Sequence, residues 1–314
     1  MSMQMDNETL INQALNESPE EIDLREVFSV LRAGITKIII ITTIFALASV
    51  IYALSIPNQY KVTVLLASAQ DQSGGLGGTL DKLGGLAAMA GVTLGGNEST
   101  EGLIAQEIMR SWSFVDSFID DNDLAVEIAA GIGWEKSSNE LIIDQSIYNS
   151  ADQKWVADEG RPSSWKLYES FLPRLKVTEV GGFVSASMEY YSPYIAKKWL
   201  DMYVVAINKH MQERQMARVT RNIEYLQAQI EKTSITEMKE VFYVVIEEQI
   251  KSKMLAEASP DYVFVEVSKS MVPEKKSQPI RSSICIVGTF LGAIFASLLV
   301  LIMHYVRKDE PTLG

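Results

Sequence analysis

The sequence predicts an α+β domain with one long extended helix, anchored in a membrane by two terminal transmembrane helices. Uncharged apolar runs occupy residues 38–56 and 284–306, and about 20 apolar residues are enough to cross a bilayer core as a helix. Between these runs, short segments that alternate apolar and polar residues indicate strands. Residues 193–232 contain no glycine or proline after Pro193, which is typical of a long helix.

The composition excludes several classes of function. The chain has 314 residues and a net charge of −12, whereas nucleic-acid binding requires clustered Lys and Arg. Its single cysteine, Cys285, permits no disulfide within one chain. The two histidines, His210 and His304, lie far apart, so we expect no histidine-based metal site, no cofactor and no histidine-dependent catalysis.

Basic residues beside the apolar runs indicate how the chain crosses the membrane. Arg32 and Lys37 precede the first run, and Arg307 and Lys308 follow the second. The positive-inside rule places both of these ends in the cytoplasm. Neither tail is long enough to fold as a kinase or cyclase output domain. The predicted parts are a cytoplasmic tail (1–37), transmembrane helix 1 (38–56), an extracytoplasmic domain (57–283, net charge −8), transmembrane helix 2 (284–306) and a cytoplasmic tail (307–314).

The segments around the first apolar run have local signatures. Ser18 and Glu21, with Pro19 between them, form a capping signature, which predicts an amphipathic helix lying on the membrane lipid before the run. After Pro57 the segment QYKVTVLLAS predicts a strand. Residues 73–96 contain nine glycines, but no Gly-Lys-Ser/Thr follows, as a phosphate-binding loop would require. We expect this segment to pack closely, either between subunits or near the bilayer.

The middle of the chain combines helical and extended patterns. Residues 101–129 have apolar residues near 3.6 spacing, which predicts a helix. Residues 134–166 have no steady period, which predicts irregular structure with at most short helices. Two alternating runs flank Gly181-Gly182, the composition of a two-residue hairpin turn. A further strand is predicted in DYVFVEVSKS, from Asp261. We expect the strands nearest the two apolar runs to pair in one mixed sheet.

The long helix begins at a cap and first-turn signature, Ser192 and Pro193. It would be about 60 Å long over residues 193–232 at 1.5 Å per residue. The apolar residues of this helix keep a constant spacing for only about two heptads at a time, which is too few for a free-standing coiled coil. A second helix, over about 235–258, is expected to run back antiparallel to it. The residues assigned to long-helix packing are Trp199, Met216, Val219, Ile223, Leu226 and Ile230.

Small residues form a ladder in the second apolar run. Gly288, Gly292 and Ala296 recur every four residues, which places them on one stripe of a helix. Such stripes let helix backbones approach closely in lipid. The stripe is expected to pack either against residues 38–56 of the same chain or between subunits.

Five sequence features, in this order, resemble the Wzz-type O-antigen chain-length determinants, also called class 1 polysaccharide co-polymerases. EIDLREVFSVLRAG precedes the first apolar run, and GGLGGTLDKLGGLAAMAG follows it. SSWKLYESFLPRLKV leads to YSPYIAKKWLDMYVVAIN, and a proline-containing approach leads to the second run with its Gly/Ala ladder. The resemblance covers nearly the whole chain.

This resemblance implies a periplasmic α/β base domain with a long helix, in a homo-oligomeric ring or cage on the bacterial inner membrane. The ring would set the length of lipid-linked polysaccharide made by a separate Wzy-type polymerase during lipopolysaccharide biosynthesis. The family favours prolines at three-residue spacing before the second span. Pro273 and Pro279 match this linker pattern, and Lys276 occupies the middle position.

Two other functions remain alternatives. A membrane-anchored periplasmic sensor or scaffold fits two spans around a domain, although it would have to recruit its output domain. A glycosidase would use paired carboxylates, for which Asp120, Asp121 and Asp123 are the candidates. Clustered charges of this kind are more typical of a solvated surface, so we expect no enzymatic activity.

Overall fold

The computed structural model describes residues 24–69, 98–156 and 160–308. They fall into two units: Pro57–Gln278 forms one, and the described residues up to Ile56 and from Pro279 form the other. The predicted cap at Ser18 and the glycine-rich segment 73–96 lie outside the described residues. In chain order the elements are α1 (Leu24–Ala33), α2 (Ile35–Ser55), β1 (Tyr60–Ser68), α3 (Glu98–Arg110), α4 (Trp112–Asp121), α5 (Ala125–Ala130), β2 (Gly131–Glu135), β3 (Glu140–Ile143), β4 (Tyr148–Asn149), β5 (Lys154–Trp155), α6 (Ser164–Phe171), β6 (Leu175–Val180), β7 (Phe183–Tyr190), α7 (Pro193–Lys232), α8 (Thr236–Ala258), β8 (Phe264–Ser268) and α9 (Arg281–Lys308).

The main sheet has the order β6-β7-β1-β8. The α+β class and the long helix are confirmed, but the expectation of a mixed sheet is wrong, because every neighbouring pair described in this sheet is antiparallel. The reason is the path of the chain. Strand β1 leads away from Gln59 and β8 leads back to Gln278, and these two residues form an antiparallel bridge. Strands β7 and β8 are parallel to each other, but β1 lies between them.

The hairpin β6–β7 has the predicted two-residue turn. Gly181 and Gly182 have φ values of +60° and +82°, the left-handed region that type I′ turns require at both central positions. The register pairs Val180 with Phe183 and Leu175 with Met188. The turn therefore fixes which side chains of the two strands become neighbours.

The first half of α7 builds the core of the 57–278 unit. Trp199, Tyr203 and Ile207 are fully buried, and Tyr203 lies edge-on to Phe118, with ring centroids 4.7 Å apart. Nε1 of Trp199 donates to Oε2 of Glu127 at 3.0 Å. A buried indole N–H needs such a partner, so this bond fixes the start of α7 relative to α5.

Helices α7 and α8 form an antiparallel hairpin. Ser192 caps α7, because its side chain accepts a hydrogen bond from the backbone N–H of Ile195. At the base of the hairpin, Nε2 of Gln212 donates to the carbonyl oxygen of Ala256 at 2.8 Å. Helix α7 spans Pro193–Lys232, and the chain returns along it in α8.

Two segments differ from the sequence-based expectation. The helix expected over 101–129 is divided among α3, α4 and α5. Ser111 ends one helix and caps the next by accepting from the backbone N–H of Phe114, and Asp123 adopts a φ of 54°. The segment expected to be irregular apart from short helices contains two short hairpins, β2–β3 and β4–β5, and α6 begins near its end.

Tyrosines with raised pKa values make the 57–278 unit less stable at alkaline pH. The hydroxyl of Tyr203 donates to the carbonyl oxygen of Met109, and burial raises its pKa well above the ordinary value. Burial likewise raises the pKa of Tyr262 to about 12. The folded state then holds protons that the unfolded state releases above pH 10, so the free energy of unfolding falls as pH rises further.

We predict that Tyr203→Phe makes this alkaline loss shallower. Between pH 10 and its own raised pKa, the buried Tyr203 lowers the free energy of unfolding by about 1.4 kcal/mol per pH unit, and the variant removes this contribution. At pH 7 it should cost about 1–3 kcal/mol, because the carbonyl of Met109 loses its donor. Urea titration followed by tryptophan fluorescence measures both effects, with exposed Tyr225→Phe as the control. An unchanged alkaline slope in Tyr203→Phe would contradict the prediction.

Candidate functional site: paired apolar helices and an exposed helical hairpin

The two apolar helices α2 and α9 pack against each other antiparallel. Gly292 of α9 lies against Phe45 of α2, and Gly288 lies against Ser49. Residue numbers therefore rise along α9 as they fall along α2. Both helices are long and apolar enough to cross a membrane.

The small residues of α9 permit this close approach. A Cβ atom added at Gly292 would lie 2.5 Å from the Cβ of Phe45, a distance that only a shift of the helix backbones could relieve. Ala296 is fully buried, and beside it the rings of Phe45 and Phe295 have centroids 5.6 Å apart. The sequence left two packing partners open for this stripe, and the structure places it against α2 of the same chain.

The helices begin earlier than the apolar runs that predict them. Helix α2 starts at Ile35 and α9 at Arg281, each three residues before the uncharged run. The reason is that a helix continues through polar and charged residues at its ends, whereas the apolar run stops at the first of them. Nε of Arg281 donates to the carbonyl oxygen of Ala53 at 3.1 Å, so the first turn of α9 also contacts α2.

The linker before α9 is held by hydrogen bonds. Nζ of Lys276 donates to Oδ1 of Asn58 at 3.1 Å, and the backbone N–H of Ser277 donates to the carbonyl oxygen of Gln59 at 2.8 Å. These bonds join the two ends of the 57–278 unit. Of the linker prolines, Pro279 is buried and Pro273 half-buried.

The outer half of the α7–α8 hairpin lies beyond the core. The core cluster includes α7 only as far as Met211, and from there the helix packs on α8. On α8, Ile246 is buried. Of the residues assigned to long-helix packing, Trp199 lies in the core, Val219 and Ile230 are buried in the outer half, and Met216, Ile223 and Leu226 are half-buried.

Helix α8 carries an exposed apolar face on its N-terminal half. The face includes Val241 and Val244, which are 56% and 61% exposed. A single apolar side chain on a surface is ordinary, but a contiguous group marks an interaction surface. We call this the α8 face, and it consists of Met238, Val241, Val244 and Val245.

The helix α8 is predicted from the sequence, whereas its exposed face is not among the sequence-based expectations. The signal was present in EVFYVVI, where seven residues hold six apolar ones. Helical spacing assigns Phe242 and Ile246 to one side, four residues apart, and leaves Val241 and Val244 on the other. A fully apolar stretch in a two-helix hairpin therefore requires a second covering surface.

The three aspartates considered for catalysis lie at the surface. Asp120, Asp121 and Asp123 are exposed, and Asp120 forms an ion pair with Arg161. Within the described residues there is no group of three or more His, Cys, Asp or Glu side chains placed to hold a metal ion. The aspartates thus occupy a solvated end of α4.

Comparison with known proteins gives a family and structural neighbours. Residues 20–122 match the model of the family described as Wzz, chain length determinant protein. A structure described as a full-length bacterial polysaccharide co-polymerase is similar over 93% of this chain and 100% of that chain, at 13% identity and a TM-score of 0.39. A fragment of WzzB, a polysaccharide co-polymerase from Salmonella Typhimurium, is similar over 70% of this chain and 100% of its own, at 12% identity and a TM-score of 0.29.

No curated protein sequence matches the chain significantly. The family match covers α1, α2, β1, α3 and α4 together with the segment between β1 and α3. Two of the motifs that carry the resemblance noted in the sequence lie in this range. Over residues 20–122, the match to the Wzz chain length determinant family confirms that resemblance.

Proposed function

We propose that this chain regulates the length of a lipid-linked surface polysaccharide, the O-antigen of lipopolysaccharide, without catalysing polymerisation. It crosses the bacterial inner membrane twice, holds residues 57–283 in the periplasm, and acts on a separate Wzy-type polymerase. The match of residues 20–122 to the chain length determinant family is the observation that carries the proposal.

The helix pair supports the membrane part of this proposal. Exposed large apolar side chains such as Ile51 and Phe290, at 70% and 67% exposure, cover the outside of α2 and α9. Lipid tails are a suitable environment for such a surface, whereas water is not. The glycine contacts between the helices then leave the apolar side chains free to face lipid.

The α8 face supports assembly into a homo-oligomer. Leaving the four large apolar side chains of this face in water is unfavourable by about 25 cal/mol per Å² of apolar surface. A neighbouring copy of the hairpin would cover this face, and repetition around a ring leaves no copy uncovered. A ring also presents many copies of one surface, so that individually weak contacts with polymer or polymerase add together.

Deleting the gene for this protein in its host cell tests the proposed function. We expect the clustered distribution of polysaccharide lengths to become broad, because polymerisation continues without length control. Gel electrophoresis of extracted lipopolysaccharide measures the distribution, and expression of the wild-type chain should restore the cluster. A clustered distribution that persists without the protein would refute the proposal.

A further inference from the structure

A small cleft lies in the 57–278 unit beside the end of the β6–β7 hairpin. It has a volume of about 200 Å³ and is lined by residues that include Arg174, Glu189 and Tyr191. Pockets for drug-sized ligands measure roughly 300–1,000 Å³. The cleft is therefore suited to a small ring rather than to a chain.

The guanidinium of Arg174 is fixed in place in this cleft. Its Cζ atom lies 4.8 Å from the ring centroid of Tyr190, and Nη2 donates to the carbonyl oxygen of Ile128 at 3.3 Å. Nη1 is buried and has no hydrogen-bond partner among the described residues. These contacts fix the orientation of the guanidinium, and Arg174 lines the cleft.

Opposite charges line the cleft without neutralising each other. Arg174 and Glu189 are neighbours in the hairpin register, one step beyond the pair of Leu175 and Met188, yet no ion pair within 4.0 Å joins them. Oε1 of Glu189 instead accepts a hydrogen bond from the hydroxyl of Ser277. The cleft thus offers a group that only donates and a group that, when ionised, only accepts.

This combination selects the chemistry of the ligand. The opposite charges of Arg174 and Glu189 give an ionic ligand no net attraction to offset the cost of removing it from water, so a neutral ligand is favoured. Neighbouring hydroxyl groups both donate and accept, and they can satisfy the two side chains together. The half-buried ring of Tyr191 adds an apolar face on which the C–H side of a sugar ring can lie.

We propose that this cleft binds one neutral monosaccharide unit of a glycan. The inference rests on the proposed function, since it names a place where the chain would hold the polysaccharide whose length it regulates. Arg174 donates to ring hydroxyls, Glu189 accepts from them, and Tyr191 contacts the sugar face.

Saturation-transfer NMR on the full-length protein in nanodiscs tests the cleft. The probes are the neutral hexoses glucose, galactose and mannose, with glucuronate and glucosamine as charged analogues. We expect transfer to at least one neutral hexose and at least threefold less to either charged sugar. Absence of transfer to all three neutral hexoses, or equal transfer to a charged analogue, would overturn the proposal.

Variants that change the charge of the cleft should change which charged sugar it prefers. Glu189→Gln leaves the cleft positive, so transfer to glucuronate should rise at least threefold relative to the neutral hexose. Arg174→Gln leaves it negative and should favour glucosamine in the same way. The matched controls are Glu179→Gln and Arg221→Gln, which change exposed residues outside the cleft.

The readouts separate folding, the cleft and the proposed function. Tryptophan fluorescence reports whether each variant is folded, and Glu189→Gln alone decides the case if Arg174→Gln is unfolded. An unchanged sugar preference in folded Glu189→Gln refutes the cleft even where removal of the protein broadens the polysaccharide lengths. An unchanged length distribution after removal refutes the proposed function whatever the cleft binds.

Discussion

The double variant Val241→Glu and Val244→Glu is expected to dissociate the full-length assembly. In the proposed oligomer these side chains are covered by a second copy, and a buried carboxylate without a partner costs about 3–5 kcal/mol. Each interface should then weaken at least about 100-fold. Mass measurement of the protein in lipid nanodiscs should change from a multiple of the 34.9 kDa chain to single copies.

The folded unit itself should tolerate this double variant. Both positions are exposed in one chain, and surface substitutions usually change the free energy of unfolding by less than about 0.5 kcal/mol. Val180→Glu is the matched control, since Val180 is also exposed but lies on β6. The α8 face is not the interface if the double variant stays assembled or if the control dissociates equally.

Replacing Gly292 by leucine is expected to separate α2 from α9. The Cβ of Phe45 is attached directly to its backbone, so no rotamer change can make room for a Cβ at position 292. Overpacking of this kind typically costs about 1–3 kcal/mol. Ala48→Leu adds comparable bulk at an exposed position of α2 and should have little effect.

Intrinsic probes distinguish the two units in this experiment. Cys285, the single cysteine, lies half-buried in α9, so a thiol-reactive dye reports on the helix pair. All five tryptophans lie in the 57–278 unit. We expect Gly292→Leu to lower the temperature of half-maximal dye labelling while the fluorescence transition stays in place. Equal labelling of Gly292→Leu and wild type would show that the glycine contact is dispensable.

The elements predicted best from sequence are those specified by backbone chemistry. Gly181-Gly182 supplies the two positive φ values of its turn, and Ser192 with Pro193 begins a helix that no glycine or proline interrupts before Lys232. These signals act through a few neighbouring residues, so they do not depend on the tertiary fold.

The short hairpins were missed because their strands are too short to show a period. Strands β4 and β5 have two residues each, and their connection includes Gln153 at a φ of 53°, where glycine or asparagine is more usual. The mixed sheet was a wrong expectation because periodicity identifies strands but does not give their direction.

The α8 face and the cleft depend on tertiary neighbours to different extents. Whether Val241 is covered or exposed follows only once α7 is known to pack on the other side of α8. The proximity of Arg174 and Glu189, by contrast, follows from the predicted turn, because pairing across Gly181-Gly182 places residue 174 opposite residue 189. Sequence thus contained their adjacency, but not the cleft beside them.

The most direct test of this account is the polysaccharide length distribution in cells that produce the Val241→Glu and Val244→Glu variant at the wild-type level. The account predicts a broad distribution like that of cells lacking the protein, because length control is proposed to be a property of the assembled ring. A clustered wild-type distribution, from a variant that nanodisc mass measurement identifies as single copies, would contradict it.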